Sequence, residues 1–68
     1  MSTSFRTKRR KLIQIHEGDV VEHSGRWWVV SRTRPEDTGR IRLDLHSIDG
    51  RATGARVGTP GDNLLIRF

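Results

Sequence analysis

The chain contains no cysteine, so neither a disulfide nor a thiolate-bound metal can staple it. No run approaches the ~18 apolar residues of a membrane span, and the first residues lack the apolar core of a signal peptide. A cytoplasmic location without membrane association is therefore expected. No segment sustains helical periodicity over three turns. A converging set of catalytic groups is missing as well. His16, His23 and His46 show no H-E-x-x-H or Cys/His ligand spacing, and each reads as a solvated strand or turn residue. The glycines form no G-x-x-x-x-G-K-[ST] loop; Gly54, Gly58 and Gly61 punctuate turns. No enzymatic activity, metal site or cofactor is expected.

Acid is also absent from residues 6–11, which hold Arg6, Lys8, Arg9, Arg10 and Lys11. The rest of the chain sets eight arginines against eight acids, so the whole net charge of +5 lies in this segment. Residues 1–11 show no strand or helix periodicity and read as a disordered basic arm. Such clusters attract phosphates without sequence preference. The other reading is a solubilising terminus with no partner.

Residues 12–68 form one small domain, near the size at which a chain buries only about 60% of its unfolded surface. Its apolar residues fall in short runs broken by turn signals. Leu12–His16 reads as a first strand and Glu17-Gly18-Asp19 as a turn. Val20–His23 and Arg26–Thr33 flank Ser24-Gly25 as a hairpin. Alternation along the second of these places Trp28 and Val30 on the core side and Trp27 outside. The loop Arg34–Gly39 carries a proline and a glycine. Arg40–Ile48 follows, with Ile41, Leu43 and Leu45 on one side and Arg40, Arg42, Asp44 and His46 on the other. Asp49-Gly50 is a pair that type I′ hairpins favour. Arg51–Val57 reads as a weaker strand, and Asn63–Phe68 closes the chain. The fold class is all-β, a small barrel of five or six strands.

The order Ile15-x-x-Gly18-Asp19-Val20-Val21-Glu22-x-x-Gly25-x-x-Trp28-x-Val30, then Arg34-Pro35, an alternating strand, Gly50 and Asp62, resembles the N-terminal domain of elongation factor P. It spans residues 12–62. The resemblance implies an SH3-like barrel related to KOW modules and an association with RNA, translation or transcription. In that family a modified lysine stands at the tip of the loop matching Arg34–Gly39. Here Asp37 or Thr38 holds that place, and the family's two downstream domains have no counterpart. The fold is implied without the factor's activity.

The function expected is a nucleic-acid-binding module, RNA before DNA. The arm (Arg6, Lys8, Arg9, Arg10, Lys11) supplies electrostatic attraction. Trp27 stacks on a base while Arg26, Arg40 and Arg42 hold phosphates. Alternatively Trp27 covers an open end of the barrel, packed by Phe5 or Phe68, and the arginines pair with Asp44, Glu22 and Asp49. The rival function is a protein-interaction or inhibitory adaptor, of the kind that phages and plasmids encode, using Trp27 and Leu65. In that reading Arg51–Val57 is an edge open to a partner strand. Either form is a monomer or a weak homodimer.

Overall fold

In a computed structural model that describes residues 6–68, the chain folds into one six-stranded antiparallel sheet. Its strands are β1 (Thr7–Lys11), β2 (Val20–His23), β3 (Arg26–Pro35), β4 (Ile41–Ser47), β5 (Thr53–Gly58) and β6 (Asn63–Arg67). The spatial order is β1-β6-β2-β3-β4-β5. Strands β2 to β5 form the expected meander, and β6 returns to the open side of β2. The all-β expectation holds with six strands. The barrel, however, is not closed: β1 and β5 are each paired on one side only.

The core follows from alternation. Val21, Val30, Leu43, Leu45, Leu64 and Ile66 project to one side of the sheet and are buried, joined by Leu12 and Ile15. Trp28 packs against this cluster at its margin. Its indole Nε1 donates to the His23 carbonyl at 2.9 Å, which satisfies the ring's one polar group as a half-buried indole requires. At the β2–β3 hairpin, Ser24 and Gly25 both take positive φ, 55° and 77°, as a type I′ turn demands.

Four local expectations are corrected. Thr7–Lys11 is not a disordered arm but a strand, paired with β6 from Thr7↔Arg67 to Lys11↔Asn63. Its residues lack an apolar pattern because the backbone ladder holds it in place. The part of the arm comprising residues 1–5 lies outside the described residues. Leu12–His16 is not a strand, since Leu12–Gln14 makes a 3-10 turn. That geometry stacks positions i and i+3, so Leu12 and Ile15 both reach the core, which a strand would not allow. Arg34 and Pro35 belong to β3 rather than to a loop. Pro35 tolerates this because β3 has there outrun β2, leaving no partner on the side of the missing N–H. Asp49-Gly50 is not a two-residue turn, because five residues separate β4 from β5. The Asp49 carboxylate organises them, accepting from Ser47 Oγ at 2.6 Å and from the Arg51 N–H at 3.0 Å.

The connection from β5 to β6 is drawn tight against the 3-10 turn. Leu12 N–H donates to the Asp62 carbonyl at 2.8 Å. The Asp62 carboxylate takes the Thr59 N–H at 3.0 Å and the Thr59 hydroxyl at 2.8 Å. A Cβ on Gly58 would stand 2.7 Å from Asp62 Oδ2 and 3.0 Å from Leu12 Cδ2, so only glycine fits there without displacement.

Candidate nucleic-acid interface

Strand register decides which charges share a face. Arg9 lies across from Leu65, Arg67 from Val20, and Glu22 from Trp27. Because side chains alternate along each strand, Arg9, Lys11, Leu65, Arg67, Glu22 and Trp27 occupy one face, the convex one. The Arg67 guanidinium stands over the Trp27 ring, 5.3 Å from its centroid. Of the two side chains expected to cover Trp27, Phe5 lies outside the described residues, and Phe68 is 62% exposed with Lys8 Nζ 5.2 Å over its ring.

Lys8 and Arg10 project from β1 to the opposite side, across from Ile66 and Leu64. Arg10 there meets Asp19 at 3.5 Å. Arg6 precedes the strand and is exposed, and its carbonyl accepts from the Phe68 N–H. The five cations of residues 6–11 are thus divided. Arg9 and Lys11 join the Trp27 face, Lys8 and Arg10 line the other, and Arg6 stands just before the strand.

The rest of the anticipated contact surface is not assembled. Arg42 and Arg34 face each other across β4 and β3. Arg34 is seven residues from Trp27 along the strand, so Arg42 lies on the order of 20 Å from the indole at ~3.3 Å per residue. Arg42 is also engaged. Its Nε donates to Asp44 Oδ1 at 2.9 Å and its Nη1 lies 4.0 Å from Glu36. Arg34 donates to the other Asp44 oxygen at 3.0 and 2.7 Å. These hydrogen bonds, that from Arg42 foremost, hold the Asp44 carboxyl below its ordinary value, while Asp44 raises Arg42. Arg40 is exposed in the β3–β4 connection, at that same distant end. Arg26 neighbours Trp27 in sequence and therefore points to the other face, where its charge helps to lower Asp49.

Sequence reasoning placed Leu65 beside Trp27 for the rival function but missed Arg67 as a member of this face. The signal for Arg67 is present in the Leu64/Ile66 alternation, which turns Leu65 and Arg67 outward, but the partner of β6 cannot be read from it. Among the described residues no group of three His, Asp or Glu side chains is placed to hold a metal ion, and no helix is long and apolar enough to cross a membrane. An apolar groove of about 330 Å³ lies at the far end of the molecule, between Ile13, Pro35 and Ile41. Comparison of the chain with protein-family models, curated proteins and solved structures returns no match.

Proposed function

We propose that this protein is a small non-catalytic nucleic-acid-binding module, RNA favoured over DNA, whose contact surface is the convex face of β1 and β6 together with Trp27. The reading includes a cytoplasmic location and an SH3-like, KOW-like classification. The latter draws support from the order in which the β2–β5 meander is completed by β6 beside β2.

One observation carries the proposal. Pairing with β6 fixes Arg9 and Lys11 on the face that also presents Arg67 and Trp27. Cations held on a strand release counterions from a phosphate backbone on contact, and an indole on the same face stacks on a base at ~1–3 kcal/mol per base. Stacking needs an unpaired base, which single-stranded RNA offers and a duplex does not.

The test is binding of labelled single-stranded RNA and of duplex DNA at several salt concentrations, for the native chain and for Arg9→Gln/Lys11→Gln. The native chain is expected to bind RNA more tightly and to weaken steeply as salt rises. Losing two phosphate contacts should flatten the logarithmic salt dependence on single strands by about 1.4. No binding of either nucleic acid at low salt would overturn the proposal and turn attention to protein partners of the Ile13–Pro35–Ile41 groove.

A further inference from the structure

β2 and β6 pair only at Val20↔Arg67 and Val21↔Ile66, although β2 continues to His23 and β6 starts at Asn63. Past Val21 the strands splay. A cleft of about 420 Å³ opens there, lined by Arg9, Glu22, Arg56, Asn63, Leu64 and Leu65. Its size is that of a small-molecule site, and its wall is too polar for an apolar guest.

Two buried polar atoms without hydrogen-bond partners flank this seam. Arg56 reaches the cleft from the concave side of β5, opposite Leu43, and its Nε is one of them. His23 Nδ1, on the splayed end of β2, is the other. An unmet buried donor costs about as much as a lost hydrogen bond, so native structures leave few of them. Burial closes that Nε to a guest, but Arg56 lines the cleft and its guanidinium carries further donors for an acceptor. Glu22 adds a carboxylate, and the ion pairs formed among the described residues leave it without a cationic partner.

The pairing of charges selects the guest. A phosphate would satisfy Arg9 and Arg56 but would be repelled by Glu22. The guest must offer donors to the carboxylate and acceptors to the guanidiniums. Guanine alone among the common bases presents two adjacent donors, N1–H and N2–H2, together with the acceptors O6 and N7 that arginine favours. Adenine and cytosine each offer one amino group on that edge, and uracil a single N–H.

We infer that the β2–β6 cleft is a guanine-reading subsite, with Glu22 accepting from the Watson–Crick edge and Arg56 and Arg9 donating to O6 and N7. Trp27, across from Glu22 on the same face, stacks on the adjoining base. The inference rests on the nucleic-acid reading above and deepens it, adding base selectivity to an otherwise sequence-tolerant surface.

The test measures binding of labelled eight-residue uridine RNAs carrying one central guanosine, adenosine or inosine. Guanosine should bind about tenfold more tightly than adenosine, in line with one bidentate base contact. Inosine, which lacks N2–H2, should fall between them. Glu22→Gln should abolish the preference, bringing binding of the guanosine RNA to the level of the adenosine RNA. Equal binding of guanosine and adenosine RNAs by the native chain overturns the subsite and leaves the nucleic-acid reading standing. A preference that survives Glu22→Gln also overturns the subsite. No binding of any of these RNAs at low salt overturns both. The native-chain comparison decides the matter even if the variant folds poorly.

Discussion

Cations stand on the same face near both ends of β3, and the two ends differ in what surrounds those cations. At the Pro35 end, Arg34 and Arg42 share the two oxygens of Asp44, with Glu36 beside them. At the Trp27 end, Arg9 and Lys11 project from β1 on the face that carries Arg67, and among the described residues Glu22 stands in a cleft rather than in an ion pair. An arginine whose carboxylate is within reach is already neutralised locally and gains little from a phosphate. Arg9 and Lys11 form no ion pair among the described residues and keep their full field for a ligand. The surface that attracts an anion is therefore set by where the acids fall, not by where arginines are most frequent in the chain.

Removal of residues 1–11 puts this contrast under the greatest strain. A detachable arm would leave the melting curve unchanged and abolish binding alone. A paired strand takes with it the ladder to β6 and the cover that Lys8 and Arg10 provide across from Ile66 and Leu64. The truncated chain is expected to lose its cooperative thermal transition by circular dichroism, because a domain of this size has little stability to spare.

Next in size is Trp27→Ala, which should weaken single-stranded RNA binding about tenfold, within the ~1–3 kcal/mol range for base–aromatic stacking. Trp27→Phe should recover part of that loss. An equal loss in duplex DNA binding would contradict a stacking role for the indole.

Acid distinguishes the two ends more gently. Asp44 is held low by Arg42 and Arg34, Asp49 by Ser47 and the Arg51 N–H, and Asp62 by the Thr59 N–H and hydroxyl. Each carboxyl titrates lower in the folded than in the unfolded chain. Their contribution to stability is thus complete above the ordinary carboxyl range and lost as pH falls through the depressed folded values. The melting temperature should be level from about pH 5 upward and decline below about pH 4. Asp44→Asn should make that decline shallower.

The smallest effect is expected for Arg42→Gln. Its guanidinium is committed to Asp44 and Glu36 at an exposed site, so RNA affinity should change less than about twofold, with only a slight fall in melting temperature. A loss as large as that for Arg9→Gln/Lys11→Gln would show that the far end of β3 also contacts the ligand.

Strands with a strong period are legible in the residues alone. Ile41, Leu43 and Leu45 announce β4, and the Ser24-Gly25 hairpin is written in the residues that tolerate positive φ. Trp28 and Val30 take the inward side that alternation assigns them, and Leu64 and Ile66 do the same on β6. The Leu12/Ile15 spacing is ambiguous, since a short apolar run suits a strand or a turn of helix equally. Only the tight closure of Thr59–Asp62 against Leu12 favours the turn.

Residue order is enough to set the β class, most strand positions, the turn glycines and the concentration of charge near one end. Each of these depends on neighbours along the chain. Folding in three dimensions was needed to make Thr7–Lys11 a strand, to lay Arg67 over Trp27, and to bring Arg34 to Asp44. It was needed also to part β2 from β6 and leave a cleft. The physical reason is common to all four. A strand without apolar residues, like a charge without a local partner, acquires its role from the backbone and side chains that register sets beside it, and register between distant strands leaves no period in the sequence.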